Sequence, residues 1–358
     1  MTPGVKATAQ PVVDASRAYF LESFDEHVVT AVDKANGRVL WRRQLTFIDP
    51  PDFLDSGFGL ALVNGILVVG DNEMFGLDPG TGSVRWQQSR KPTRGLARFS
   101  RFSTDGSLVY PAMDAHVFAF DATSGALRWE TNPTQGQRAG IFIPQVDRGT
   151  VFVGFYAVDG GRRGGVGAID VATGQLRWSQ LLPDWNSTGI NLVTRLAILD
   201  TVIVAPAADG SAYVLNRSTG VILKVLPRST FYSAGEVPDQ DGENYAVHST
   251  VARIFVANNA GRITALDAQT LTPVWSAYDR PVTGTVQEMV SDDQFLYVTV
   301  GNGTLGVRRL LDGKLIWYVT ASDLRPDRME GTLRAPAVQG EFLYYGGYGF
   351  ASYAFRRR

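Results

Sequence analysis

Short apolar runs, broken by turns rich in glycine, run along the chain from end to end. In one region "VFVGF" at residues 151–155 precedes "VGAID" at 166–170, and a Thr-Gly turn then leads into another run. Runs of this length, bounded by Gly, Asp and Thr, are typical of β-strands joined by hairpins. No helix of useful length is indicated, and no apolar run approaches the roughly 20 residues of a membrane span. The pattern predicts an all-β protein.

One sequence pattern recurs throughout. It reads "AIDVATGQLRW" at residues 168–178, and its successive copies end at Trp41, Trp86, Trp129, Trp178, Lys224, Trp275 and Trp317. These end points lie 45, 43, 49, 46, 51 and 42 residues apart. A period of roughly 40–50 residues with about four strands in each unit is typical of β-propeller blades.

The positions that recur have structural explanations. An acidic or amide residue opens the turn in six copies: Asp33, Asp78, Asp121, Asp170, Asn216 and Asp267. A glycine follows four residues later in six copies: Gly37, Gly82, Gly125, Gly174, Gly220 and Gly313. Such an Asp accepts hydrogen bonds from the amides of its own turn, and the glycine allows positive φ. The tryptophan then opens the outermost strand and covers the neighbouring sheet. These carboxylates lie in separate blades and are expected to be structural.

Seven copies contain the turn, and an eighth unit begins at residue 335 and stops at Phe355, before its turn. We expect residues 5–10 to supply the missing outer strand of this last blade, which removes an open sheet edge. The sequence therefore predicts one domain over residues 1–358. It is an eight-bladed propeller of four-stranded antiparallel blades, with seven blades as the alternative.

Composition narrows the chemistry. The chain has no cysteine, which excludes disulfides, thiolate metal sites and cysteine nucleophiles. Its three histidines form no metal-binding pair, and its net charge of −1 gives no indication of nucleic-acid binding. The first residues, "MTPGVKATAQ", do not resemble a signal peptide. Absence of cysteine fits an extracytoplasmic compartment, although cytosolic chains can lack it too.

Polar residues near the start of the innermost strands are the candidate ligand-binding groups, because these starts line the central funnel of a propeller. They are Arg101, Arg195, His248, Glu288 and Arg334. Arginine forks suit carboxylates, so a partly cationic funnel could hold a carboxylate ligand. The alternative is charge solvated by water, or pairing of Glu288 with a neighbouring arginine.

Two aromatic residues depart from the repeat and are candidate interface residues. Trp185 lies in the loop "LPDWNSTG", and Tyr348 lies in the glycine-rich tip of the last unit. Ordinary loop packing for Trp185 and core packing for Tyr348 are the alternatives.

The motif A-x-D-x-x-T-G-x-x-x-W, matched in full by Ala168, Asp170, Thr173, Gly174 and Trp178, resembles the repeat of the PQQ-like, or quinoprotein-type, propellers. The resemblance covers essentially the whole chain and implies two functional classes. One is the PQQ-dependent dehydrogenases, which bind Ca²⁺ beside PQQ and use an Asp base; their alcohol-oxidising branch carries adjacent cysteines, absent here. The other is the BamB-like branch of non-catalytic scaffolds.

We therefore expect a BamB-like scaffold that binds proteins in envelope or outer-membrane protein assembly, with no catalytic residues, metal or cofactor. This resemblance implies a periplasmic or otherwise extracytoplasmic location in a bacterium. The alternative is a PQQ- and Ca²⁺-dependent alcohol or sugar dehydrogenase, or a propeller that binds a small carboxylate in its funnel.

Overall fold

A computed structural model describes residues 10–22, 27–46, 59–70, 73–89, 101–137, 139–157, 163–183, 193–233, 246–278, 282, 284–320, 323, 336–339, 342–345 and 353–356. These residues form antiparallel sheets that follow one another along the chain. A 3₁₀ turn lies at Arg228–Thr230. The predicted all-β propeller fold is confirmed.

Each sheet is one blade. The strands of blade 1 are β1 (Val12–Val13), β2 (Arg17–Glu22), β3 (Val28–Asp33) and β4 (Val39–Gln44). Those of blade 2 are β5 (Gly59–Val63), β6 (Ile66–Gly70), β7 (Met74–Leu77) and β8 (Val84–Gln88). Those of blade 3 are β9 (Ser103–Thr104), β10 (Leu108–Tyr110), β11 (Ala112–Met113), β12 (His116–Asp121) and β13 (Leu127–Thr131). Those of blade 4 are β14 (Ala139–Ile141), β15 (Gln145–Asp147), β16 (Thr150–Ala157), β17 (Arg163–Asp170) and β18 (Leu176–Leu181).

The second half of the chain continues the series. Blade 5 consists of β19 (Ala197–Ile198), β20 (Val202–Pro206), β21 (Ala212–Asn216) and β22 (Ile222–Leu226). Blade 6 consists of β23 (Val247–Ser249), β24 (Arg253–Ala257), β25 (Ile263–Asp267) and β26 (Pro273–Ala277). Blade 7 consists of β27 (Val286–Ser291), β28 (Phe295–Val300), β29 (Leu305–Arg309) and β30 (Leu315–Val319). The last sheet consists of β31 (Ala337–Gln339), β32 (Phe342–Tyr345) and β33 (Tyr353–Arg356).

The described residues thus contain seven blades of four or five strands, which matches the smaller predicted number, followed by a sheet of three strands. Of the outer strand predicted for that sheet from residues 5–10, residues 5–9 lie outside the described residues, and Gln10 is described but is not part of a strand. Blade 3 has a fifth strand because Pro111, which lacks an amide hydrogen, separates β10 from β11, and both pair with β12.

The turn of the repeat is built from its own residues. In blade 4, Asp170 Oδ1 accepts hydrogen bonds from the backbone N–H groups of Ala172 at 3.0 Å and Thr173 at 2.9 Å. Gly174 donates its N–H to the Asp170 carbonyl at 2.9 Å and has φ of +71°. Glycine adopts this left-handed conformation without a steric penalty, so the turn can close tightly before β18.

The repeat tryptophan joins each blade to the next. Trp129 lies so close to Gly174 that a Cβ on that glycine would be 2.5 Å from the indole ring, and its Nε1 donates to the Val171 carbonyl at 2.8 Å. Four other tryptophans donate in the same way to the next blade: Trp41 to Pro79, Trp86 to Ala122, Trp178 to Arg217 and Trp275 to Leu310. Between blades 5 and 6 the pair is instead Lys224 and Leu271, which has φ of +58°.

The core lies between neighbouring blades. Between blades 1 and 2, for example, Tyr19 and Leu21 pack with Leu67 and Val69. Each blade can bury both of its faces only when it has neighbours on both sides, so the stack is stable when it closes on itself.

The first and last sheets supply that closure. Phe20 and Val32 of blade 1 pack against Tyr344 of the last sheet. The Gln10 amide also donates to the Pro336 carbonyl at 3.3 Å. The two ends of the described chain therefore meet, and the propeller forms a ring.

Candidate functional site in the central channel

The polar residues predicted to line the funnel lie at the innermost strands. Arg101 precedes β9, Arg195 precedes β19, His248 lies in β23 and Glu288 lies in β27. These are the first strands of blades 3, 5, 6 and 7, and first strands of adjacent blades contact one another. The four side chains therefore surround the axis of the ring.

Glu288 brings two of these residues together across the channel. Its Oε1 accepts a hydrogen bond from Arg195 Nη2 at 2.5 Å and forms an ion pair with Arg101 Nη1. Glu288 is buried, with 4% of its surface exposed, while the side chains of Arg101 and Arg195 are 23% and 22% exposed. One carboxylate thus links blades 3, 5 and 7, residues that are far apart in sequence. The pairing left open as an alternative is the arrangement found.

The cluster holds two guanidinium groups and one carboxylate in a partly buried place, where Coulomb interactions are stronger than in water. The arrangement can attract an anion, but the carboxylate that already bridges both arginines competes with it.

His248 adds no positive charge at neutral pH. Burial, together with the nearby charge of Arg195, lowers the pKa of His248 to about 4. Its Nε2 lies 2.8 Å from Ser291 Oγ, and its ring stacks on Phe255 with centroids 6.2 Å apart. The neutral imidazole is therefore a hydrogen-bonding and packing group in the channel wall.

Gln145 positions the backbone beside Arg195, a role that the sequence reasoning missed. Its Nε2 donates to the Leu196 carbonyl at 2.9 Å, and its Oε1 accepts from the Leu196 N–H at 2.8 Å. This paired contact fixes the start of β19 against blade 4. The signal was present in the sequence. Gln145 begins the inner strand β15 directly after Pro144, close to the position that Arg195 has before β19.

Three predicted residues, Arg334, Trp185 and Tyr348, lie outside the described residues, so they remain predictions.

The repeat acids lie at the outer corners of separate blades, where each is held by its own turn. A hydrogen bond from Arg177, with the amide of Thr173, lowers the pKa of Asp170 to about 2. Its carboxylate is thus ionised and engaged in the turn.

Two further observations concern the described part of the chain as a whole. It contains no group of three or more His, Cys, Asp or Glu side chains placed to hold a metal ion. It also contains no helix that is both long and apolar enough to cross a bilayer.

Comparison with known proteins agrees with this architecture. A family model described as "Outer membrane protein assembly factor BamB" matches residues 2–105, 93–230 and 237–353. The chain is 25% identical to the outer membrane protein assembly factor BamB of Yersinia pestis over 351 residues, covering 92% of this chain and 80% of that protein. The crystal structure of BamB from Moraxella catarrhalis superimposes with a TM-score of 0.68 at 16% identity, over 97% of this chain and 96% of that one.

A shorter similarity extends to quinone-linked enzymes. The dehydrogenase subunit of the alcohol dehydrogenase (quinone) of Gluconobacter oxydans is 28% identical over 135 residues, which is 33% of this chain and 18% of that protein. The sequence similarity to this enzyme thus covers part of the ring, whereas the family model covers nearly all of it. The repeat, the ring of antiparallel blades and these matches together show that the chain belongs to the PQQ-like propeller family whose model is described as outer membrane protein assembly factor BamB.

Proposed function

We propose that this chain is a non-catalytic propeller scaffold that binds other proteins and takes part in the assembly of envelope or outer-membrane proteins. The observation that carries the proposal is the bridge of Arg101 and Arg195 by Glu288. The two described arginines of the channel are engaged by a carboxylate of the chain itself, which favours a structural channel over a cofactor site.

The extent of the similarity supports the same function. The match to the Yersinia pestis assembly factor covers 92% of this chain, whereas the match to the quinone-linked dehydrogenase covers 33%. By this likeness the partners are envelope proteins, the location is periplasmic and no resident cofactor is needed.

A propeller that binds a small carboxylate in its channel is the second candidate. It is favoured by the two guanidinium groups of the Arg101, Arg195 and Glu288 cluster, since arginine suits carboxylates. PQQ, a tricarboxylate, fits these residues poorly where its carboxylates take the two arginines from Glu288, because that buried carboxylate is then left without these cations. Breaking a buried ion pair in this way costs about 3–5 kcal/mol. A small carboxylate that binds beside Glu288 avoids this cost.

A genetic and a calorimetric experiment together test the proposal. In a bacterium that carries the gene, deletion should lower the amount of folded outer-membrane barrel proteins, and the wild-type chain should restore it. Purified protein titrated with PQQ and Ca²⁺ should give no saturable heat and no dye reduction with alcohols or aldoses.

The opposite results support the enzyme. Stoichiometric PQQ binding that is abolished by Arg195→Ala or Arg334→Ala, together with unchanged barrel proteins in the deletion strain, overturns the scaffold function. Saturable binding of acetate or succinate without PQQ binding supports the second candidate.

A further inference from the structure

A cavity of about 250 Å³ lies at the outer rim of the ring, between blades 4 and 5 and away from the central channel. It is lined by the aromatic side chains of Phe152 and Trp178 and by three arginines, Arg148, Arg177 and Arg217, with Thr150 and Ser218 adding hydroxyl groups. Its described lining contains no acidic side chain. Such a volume is smaller than the roughly 300–1,000 Å³ typical of small-molecule sites, so it suits a single side chain.

Arg148 and Arg217 differ from the residues that most other blades carry. Arg217 follows the residue that opens the turn of blade 5, where blades 2, 3 and 4 have Pro79, Ala122 and Val171 and blade 1 has the basic Lys34. Arg148 has φ of +44° in the hairpin before β16. In blade 2 the corresponding hairpin has Asn64 at φ of +48°. Asparagine tolerates this conformation well, whereas arginine adopts it at a cost in backbone strain. The third, Arg177, recurs in blades 2 and 3.

The guanidinium of Arg217 is held rigidly. It is stacked over Phe152 at 5.2 Å from the ring centroid. It donates to the Leu199 carbonyl at 2.9 Å and pairs with Asp147 at 2.5 Å, and its side chain is 11% exposed. An arginine fixed by packing and hydrogen bonds loses little further freedom on binding, so it is preorganised for an anion.

Arg177 is oriented in the same way. It donates to Thr150 Oγ1 at 2.7 Å and to Asp170 at 2.6 Å. Asp170 has a pKa of about 2, so its carboxyl is ionised at neutral pH, and it lies outside the lining of the cavity. Asp170 therefore contacts Arg177 from outside the cavity, and Arg177 borders the cavity.

Arg148 is the exchangeable member. It pairs with Asp200 and also, at 3.2 Å, with Asp147; the side chains of Arg148, Asp200 and Asp147 are 59%, 85% and 37% exposed. Ion pairs this exposed contribute little to stability, so an incoming carboxylate can replace Asp200 at little cost. A carboxylate in the cavity can thus receive charge-assisted hydrogen bonds from arginines of both blades.

Apolar surface continues from the cavity along blade 5. Val221 and Leu223 lie three and five residues after Ser218 and are 55% and 56% exposed, and Val225 is 44% exposed. They belong to or adjoin β22, the outer strand of this blade, which among the described strands pairs only with β21. An extended segment that alternates acidic and apolar residues is complementary to such a surface.

We propose that this rim cavity binds an acidic side chain of an extended segment of a partner protein, with apolar residues of the segment packed on Val221 and Leu223. The proposal rests on the proposed function in one respect, that the ligand belongs to a polypeptide. The site itself is separate from the central channel.

The test uses the whole chain and a fluorescently labelled peptide of alternating glutamate and valine, beside the same peptide with glutamine in place of glutamate. Arg177→Gln and Arg148→Gln should each weaken binding of the glutamate peptide about tenfold or more, since a hydrogen bond to a charged group contributes about 1.5–3 kcal/mol. The matched control is Arg128→Gln. Arg128 pairs with Asp121 as Arg177 pairs with Asp170, but it lies at another junction, so its loss should change binding less than about twofold.

Several outcomes overturn the rim site. Equal losses in Arg177→Gln and Arg128→Gln indicate binding to general surface charge, and equal binding of the glutamine peptide removes the carboxylate from recognition. Binding lost in Arg195→Ala but kept in Arg177→Gln places the acidic segment in the channel. Self-association of the chain that is abolished by Arg177→Gln makes a second copy the occupant. If the glutamate peptide does not bind while deletion of the gene still lowers barrel proteins, the rim site fails and the proposed function stands.

Discussion

His248 is a base that folding keeps neutral. Burial and the charge of Arg195 lower its pKa to about 4, from its usual value of 6.5. In the unfolded chain the imidazole takes up a proton near pH 6.5, whereas in the folded chain it does so only near pH 4. The unfolded state therefore binds more protons between these values, and stability is lost as the pH falls through this window.

We expect His248→Gln to reduce this acid sensitivity. Between pH 7 and pH 4.5 the wild-type chain should lose about 2 kcal/mol more of its free energy of unfolding than the variant, since each pKa unit corresponds to about 1.4 kcal/mol. Urea denaturation at a series of pH values gives both curves. His27→Gln and His116→Gln are the controls for the other two histidines. Parallel wild-type and His248→Gln curves would show that His248 is not the buried base.

Individual channel residues could be predicted as candidates from the sequence, but their partners could not. The repeat aligns Arg101, Arg195 and Glu288 at the starts of inner strands, and this is enough to place them near the axis. Which side chain meets which depends on the diameter and curvature of the ring, and these follow from packing between blades. The bridge between blades 3, 5 and 7 therefore became visible only in the structure.

The contact between a tryptophan and the glycine of the next blade explains a substitution that the repeat alone leaves unexplained. A side chain at that glycine would overlap the indole, since a Cβ at Gly220 would lie 2.5 Å from Trp178. In blade 5 the tryptophan is replaced by Lys224, and in blade 6 the glycine is replaced by Leu271, which is partly buried against the cluster between these blades. Lys224 and Leu271 thus replace the tryptophan and the glycine of a single contact between blades 5 and 6.

This coupling can be measured. Lys224→Trp alone should destabilise the protein by about 1–3 kcal/mol, because the indole and Leu271 need the same space. Leu271→Gly added to it should recover at least about 1 kcal/mol beyond the sum of the single changes, since the glycine also relieves the positive φ. Urea denaturation of the two single variants and the double variant completes the cycle.

The reverse exchange at the next junction is the matched control. Trp275→Lys and Gly313→Leu should each destabilise the protein, and together they should be less harmful than their sum. Additivity within about 0.5 kcal/mol at both junctions would mean that the two positions do not interact. The sequence already indicated this coupling, because Lys224 and Leu271 depart from the repeat in consecutive units.

The strand pattern, the turn chemistry and the period were sufficient to predict a ring of antiparallel blades, because each depends on residues close together in the chain. The closure of the ring depends on residues from its two ends. In the described chain, Phe20, Val32 and Tyr344 form the apolar part of that junction, and Lys34 Nζ lies 5.9 Å from the Tyr344 ring. No covalent bond joins the ends, so this packing must keep the first and last sheets together.

Removal of Tyr344 should therefore affect the whole molecule as well as its own blade. Tyr344 is 4% exposed, so Tyr344→Ala should cost about 3 kcal/mol. Tyr318→Ala is the control, since Tyr318 is 44% exposed in the neighbouring blade and should cost less than about 1 kcal/mol. An open row of blades unfolds from its ends, whereas a closed ring unfolds together. We thus expect the tryptophan fluorescence and far-UV circular dichroism of Tyr344→Ala to follow separate urea transitions, and those of the wild type to coincide. Coincident transitions in Tyr344→Ala, with a cost no larger than that of Tyr318→Ala, would show that closure depends on other contacts.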